Sequence, residues 1–197
     1  MATQALDAAD GRRARRDRNR ASVIDALFDL LVDGSFPTTE AIAERAGVSV
    51  SSVFRYFESL DDLQRQTIDA HFDRFGPLFD VPSPGEGDTA ERIQRFVDAR
   101  LALYEAVAPV ARLARARAYD QPLIAERLTE VRKSFVRQIR DHFAAELEAL
   151  SPARAEDTAH LVDASTSFET WDLLSTTHDR TGRQIRRAWI DGIAALL

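Results

Sequence analysis

Cysteine is absent from the whole 197-residue chain. That excludes disulfide cross-links and thiolate nucleophiles, and it suits a reducing cytoplasm, the expected location. No apolar stretch approaches the ~20 residues that a membrane span needs, so no membrane partner is expected. The first twenty residues hold arginines with no apolar run behind them, unlike a secretory signal. Lysine is nearly missing as well: Lys133 is the single one, and arginine supplies the rest of the positive side-chain charge. His71, His142, His160 and His178 are scattered along the chain, at no spacing that would hold a metal. There is no G-x-S-x-G elbow and no glycine loop to cradle a phosphate. Neither catalysis nor a bound cofactor is therefore expected. The net charge of −6 argues against an indiscriminate nucleic-acid binder. At 45% hydrophobic residues the chain can bury a substantial core, in one large or two small domains.

What is present is concentrated in residues 38–63, TTEAIAERAGVSVSSVFRYFESLDDL. Pro37 blocks helical continuation from upstream, and Thr38 can cap a helix through its hydroxyl. Ile42 and Ala46 fall on one face and should be buried, while Ala43 is small enough for two helices to cross closely. Gly47 can take the positive φ of a sharp turn. Val48 plugs the corner, and Ser49 caps a second helix. Val53 and Phe57, four apart, should pin that helix to the core, leaving Val50, Ser51, Ser52, Arg55 and Tyr56 mostly outside. Such spacing predicts a helix-turn-helix, a device that places its second helix in the major groove of DNA.

With the amphipathic helix that precedes it, the run IAERAGVS followed by FRYFESLDDL resembles the TetR family of bacterial transcriptional regulators over residues 18–64. The resemblance implies a homodimer with an N-terminal DNA-binding domain and a C-terminal domain whose small-molecule effector switches DNA affinity. It implies that Thr38 reaches a phosphate, that Ser49, Val50, Ser51 and Ser52 face the groove, and that Arg55 and Tyr56 touch base edges or backbone. Arg55 can pair bidentately with guanine. The sequence departs from the family at Phe54, where a tyrosine hydroxyl usually meets a phosphate, and at Leu60, where a lysine usually does. Compensation is expected from the arm, where Arg12, Arg13, Arg15, Arg16, Arg18 and Arg20 face only Asp17. Arg16 and Arg18 are the arm residues expected at DNA. Phosphate contacts dominate affinity, so these departures also motivate a rival reading: a helical ligand-sensing or protein-binding module with weak or no specific DNA binding.

No run alternates with period two long enough to make a strand, so the expected class is all-α: an N-terminal three-helix helix-turn-helix domain and a C-terminal helical ligand-binding and dimerisation domain. Residues 1–16 read as a disordered basic arm, 17–64 as the DNA-binding domain and 65–197 as the second domain. Ala21, Ile24, Phe28 and Leu31 give the first helix its apolar face over 17–32, and Gly34 ends it. A fourth helix, from Ser59 to about Phe75, should connect the two domains. VPSPGEG at 81–87 reads as a linker. Asp88 and Glu91 open a fifth helix that ends near Ala106. Pro109 suits the first turn of a sixth, and Pro122 that of a seventh running to Leu150. An eighth covers 153–175, and the last, after THDRTG, covers 182–196.

In the second domain, Tyr104, Phe135, His142, Phe168 and Trp171 are the expected lining of an apolar ligand site, although aromatics at helical spacing are commonly core. Arg112, Arg115 and Arg117 are spread around a helix and read as a solvated face. Leu161 and Ala164, then Ile185, Ala188, Trp189, Gly192, Ile193 and Leu196, combine small residues with large apolar anchors. That pairing lets helices approach closely. The resemblance assigns the last two helices to a four-helix dimer interface.

Overall fold

The computed structural model describes residues 2–34 and 37–197, with side chains from Arg13 onward; Arg12 therefore lies outside the described side chains. The described residues form ten α-helices: α1 Ala2–Val32, α2 Thr39–Ala46, α3 Val50–Tyr56, α4 Leu60–Arg74, α5 Thr89–Ala118, α6 Pro122–His142, α7 Ala144–Glu148, α8 Pro152–Ser165, α9 Phe168–Asp172 and α10 Gly182–Leu196. The described residues contain no strand, so the protein is all-α as expected. None of these helices is long and apolar enough to cross a membrane. The chain divides into two compact units, residues 1–73 with 109–124, and 74–108 with 125–197.

In the first unit α1 packs on α2 and α3. The local rules hold at the helix-turn-helix. The Thr38 hydroxyl accepts from the Ala41 amide, and Gly47 sits at φ 66°, the left-handed conformation. The Ser49 hydroxyl accepts from the Ser52 amide. Ile42, Ala43, Val53 and Phe57 are buried with Val23, Leu27 and Leu63, whereas Ala46 and Val48 are only half-buried. Ser59 caps α4 through the Asp62 amide, and the Asp62 carboxylate accepts from the Glu58 amide. Hydrogen bonds from Gln66, the Glu58 amide and Arg65 outweigh burial and hold the Asp62 carboxyl below its ordinary range.

Two expectations about α1 are corrected. The helix starts at Ala2 rather than at 17, because alanine and arginine, which dominate the arm, are strong helix formers and outweigh Gly11. Its buried face is Val23, Ala26, Leu27 and Leu31; Ala21 is exposed, and Ile24 and Phe28 are half-buried. The apolar residues form two overlapping stripes about one position apart, and tertiary packing selects the one with Val23 and Leu27. Phe28 stacks on His71 of α4 instead, at 4.1 Å between centroids.

In the second unit, Asp88 and Glu91 cap α5 reciprocally, each side chain accepting from the other's amide at 2.9 and 3.1 Å. Thr181 and Gln184 do the same for α10. The guanidinium of Arg92 pairs with the carboxylate of Glu146, and Asp98 with Arg186 at 2.6 Å, tying α7 and α10 to α5.

Three further boundaries differ from the sequence reading. Pro109 lies inside α5, which continues to Ala118; its ring forgoes one hydrogen bond, a loss that the flanking helical turns outweigh. The helix expected to run from Pro122 to Leu150 breaks at Phe143, whose fully buried ring packs edge-on to Phe96 at 5.5 Å. The helix expected over 153–175 breaks at Thr166 and Ser167. There Ser167 caps α9 by accepting from the Thr170 amide, and Tyr104 donates its hydroxyl to the Thr166 carbonyl at 3.0 Å. Serine and threonine offer the backbone these alternatives to helix continuation. A single π turn, Leu173–Thr177, follows α9.

Candidate DNA-binding face

α3 has a buried edge, Val53 with the following Phe57, and an exposed edge that is polar. Ser51 and Arg55 are exposed, and Val50, Ser52 and Tyr56 half-buried. These side chains form one hydrogen-bonded string. The Ser49 hydroxyl lies 2.9 Å from those of both Ser51 and Ser52. Arg55 Nη2 donates to Ser52 Oγ at 3.1 Å and to the Tyr56 hydroxyl at 3.2 Å, and the guanidinium lies 5.2 Å from the Tyr56 ring centroid. Asn19 Nδ2 on α1 completes the string by donating to the same hydroxyl at 3.1 Å. Hydrogen bonds from Asn19 and Arg55, in that order, hold the Tyr56 phenol below its ordinary pKa. The string presents hydroxyls and a guanidinium to solvent, each satisfied by a partner that it can exchange for a phosphate or a base edge.

Arg16 and Arg18 are exposed on α1. Arg20, also exposed, is engaged within the unit, donating to Gln66 and lying 5.6 Å from the Phe57 ring centroid. Thr38 is exposed beside Glu40, whose carboxyl is held below its ordinary range first by its own backbone amide and then by the Thr38 hydroxyl. Phe54 is 52% exposed and Leu60 half-buried, so neither offers a phosphate donor. Asn19 was not legible as part of this face, because its partner is 37 residues away; the one local signal is an asparagine, a poor helix former, inside a long helix.

The five expected ligand-site residues do not form one cluster of ring contacts. Tyr104, Phe168 and Trp171 meet at centroid separations of 5.5–6.2 Å. Phe135 packs with Phe79 at 6.0 Å and beneath Arg100. His142 packs against Phe96 and Phe143 and donates to the Arg92 carbonyl at 2.9 Å, with burial pulling its pKa down. Arg100 was missed. Its signal is position: it lies four residues after Phe96 and four before Tyr104, an arginine inside the apolar stripe of a helix.

The expected dimer residues separate into two sets. Ile185, Trp189 and Ile193 are buried in the second unit, at 1–4% exposure. Leu161, Ala164, Ala188 and Gly192 are exposed and Leu196 is half-buried. The apolar content of α10 is thus shared between the protomer's own core and an outward face, because i, i+4, i+8 lies on one side of a helix and the small residues between lie on another.

Residues 23–66 match the family model of the bacterial regulatory proteins, tetR family. No curated protein sequence matches the chain significantly. Among solved structures, the chain is similar to a transcriptional regulator from Rhodococcus sp. Rha1, with a TM-score of 0.69 and 21% identity over 90% of this chain and 95% of that one. It is likewise similar to a tetR-family transcriptional regulator from Streptomyces coelicolor, with a TM-score of 0.71 and 20% identity over 91% of this chain and 80% of that one. Identities this low carry the fold alone, while the sequence match covers the helices that build the face described above. On that match and the geometry of α2 and α3, residues 23–66 carry the helix-turn-helix of the bacterial regulatory proteins, tetR family.

Proposed function

We propose that the protein is a cytoplasmic repressor that binds a palindromic operator as a homodimer and is released from it by a small, largely apolar ligand. The observation that carries this reading is the polar edge of α3, exposed on a helix whose opposite edge is buried. Ser51, Ser52, Arg55 and Tyr56 are its reading residues, with Val50 alongside. Thr38, Arg16 and, where the arm unwinds along the backbone, Arg18 supply phosphate contacts that set register but carry no sequence information, and Ser49 faces the groove. Two such helices related by a two-fold axis would read half-sites about 34–36 Å apart. The ligand acts only through a differential affinity for the DNA-competent and DNA-incompetent states. Tyr104, Phe168 and Trp171 support the ligand site through their mutual contacts; Phe135 and His142 lie in adjoining packing.

Fluorescence anisotropy with the DNA upstream of the protein's own gene, at low and moderate salt, tests the DNA half. Arg55→Ala and Tyr56→Ala are each expected to weaken specific binding by about 1–3 kcal/mol while the helical spectrum is retained. Parent-like operator affinity in both variants would move the reading helix elsewhere. Equal affinity of the parent for operator and random DNA would favour the rival reading as a sensing module, which the exposed Phe54 motivates.

For the dimer, the outward set Leu161, Ala164, Ala188 and Gly192 is the proposed contact, with Leu196 at its edge. A Cβ at Gly192 meets no atom within 4 Å in the protomer, so Gly192→Trp fits the single chain. It is expected to give folded monomers by sedimentation velocity, because the added ring holds the paired helices apart. A Gly192→Trp dimer as tight as the parent would place the interface on another face.

A further inference from the structure

One buried group in the second unit has a charge that its surroundings leave uncompensated. Phe96, Arg100 and Tyr104 recur every fourth residue on α5, and all three are buried, Arg100 to 1% exposure. Its guanidinium carbon lies 3.8 Å from the ring centroid of Phe135 and 4.9 Å from that of Phe96. Nη2 donates to Gln138 Oε1 at 3.1 Å. Gln138 is itself fixed, donating to the Phe79 carbonyl at 2.7 Å, so the guanidinium is held in one orientation. A guanidinium has five N–H donors. Among the described residues no other acceptor and no carboxylate within ion-pair distance meets it. Asp163, the acidic side chain whose field reaches it, is engaged by Arg132 at 2.7 Å.

A buried cation without an anion is costly. The two aromatic faces return part of that cost but accept none of the remaining N–H groups. Burial pulls the guanidinium pKa below its ordinary value. A second unmet donor adjoins the same tyrosine: Trp189 Nε1 has no acceptor among the described residues, and its ring meets Tyr104 edge-on at 6.3 Å. Arg100, with one acceptor for its five donors, and Trp189 Nε1, with none, lie on either side of the Tyr104 link and leave N–H groups for a ligand's acceptor atoms.

We infer that the second unit binds an organic acid, with Arg100 as the counter-ion of its carboxylate and the aromatic core around Phe96, Phe135 and Tyr104 as the surface for its apolar body. A multiply charged phosphate fits less well, because the neighbouring cation, Arg132, is already taken by Asp163 and Glu169. This site rests on the effector reading above and narrows it, from an apolar ligand to an amphipathic monoanion.

The test uses the full-length protein and a series of straight-chain and phenyl-substituted carboxylates, each paired with its own primary amide. By calorimetry, at least one acid is expected to bind about tenfold or more tightly than its amide, a gap of about 1.4 kcal/mol. Arg100→Met is expected to erase that gap and Arg100→Lys to keep part of it. The ligand-free Arg100→Met protein is expected to melt at or above the parent, since removing an uncompensated buried charge does not weaken a fold. Amides binding as tightly as acids, or no acid in the series binding, would overturn the site. An Arg100→Met protein melting well below the parent would make Arg100 a scaffold group and overturn it equally. Because binding is read without DNA, an acid that binds yet leaves the operator occupied supports the site and refutes only the release mechanism. Operator release by neutral ligands that Arg100→Met still obeys refutes the site alone.

Discussion

Trp189→Arg is expected to unfold the second unit rather than divide a dimer. Trp189 is 4% exposed, and on α10 it stands between Ile185 and Ile193, each at 1%. Its ring meets Tyr104 at 6.3 Å, and Tyr104 in turn holds the break between α8 and α9 through the Thr166 carbonyl. Truncating a buried tryptophan to alanine typically costs about 3–5 kcal/mol. Arginine adds an unpaired charge at a buried position, which raises that cost. At roughly 2–4 °C per kcal/mol for a chain of this size, the melting temperature should fall by roughly 6–20 °C. With Trp171 and Trp189 the chain's two tryptophans, near-ultraviolet dichroism reports the collapse of this cluster directly. A folded Trp189→Arg monomer with the parent's melting temperature would show that the ring faces a partner and not its own core. The contrast with Gly192→Trp is diagnostic: a small residue three positions on, facing outward, should change association and leave the fold.

That contrast also marks the limit of what the sequence discloses. The helix-turn-helix is legible because each of its determinants acts within a few residues. The hydroxyl of Thr38 meets an amide three residues on, Gly47 turns the chain by its own φ, and Ser49 repeats the Thr38 cap. The all-α class follows from periodicity for the same reason. Which stripe of a helix is buried is a different question, decided by what packs on it. In α1 two stripes were available, and the wrong one, with Ala21, Ile24 and Phe28, was as periodic as the right one. In α10 the periodicity gave the apolar content but could not divide it between core and partner. The break at Thr166 depends on a donor from Tyr104, 62 residues away, and Pro109 stays helical despite its missing amide. Arg100 was hidden for another reason: arginine is ordinarily a surface residue, so an arginine in an apolar stripe invites dismissal.

Removing residues 1–16 is expected to weaken DNA binding on operator and random sequence alike. The deletion takes Arg12, Arg13, Arg15 and Arg16 and spares the packing of α1 at Val23, Ala26, Leu27 and Leu31. It also spares Asn19 and Arg20, which brace Tyr56 and Phe57. Phe54 and Leu60 offer no phosphate contacts, so the arm must carry a large share of the counterion release that drives affinity. Its geometry sets the size of the effect. At 100° per residue, Arg13 and Arg16 share a helix face with Arg20, whereas Arg15 lies on the opposite side with Arg18. An arm that stays helical on DNA therefore loses about two phosphate contacts among its described side chains. The slope of log affinity against log salt should shrink by about two, or roughly tenfold in affinity over a fourfold rise in salt. An arm that unwinds along the backbone would lose a contact for each deleted arginine, and the slope should shrink by about four. Selectivity between operator and random DNA should change much less, since phosphate contacts position and base contacts specify; if it falls at A·T-rich flanks, the arm enters the minor groove. Unchanged affinity and slope after truncation would leave the arm a solvated helix, and the exposed edge of α3 would then have to bind DNA without it.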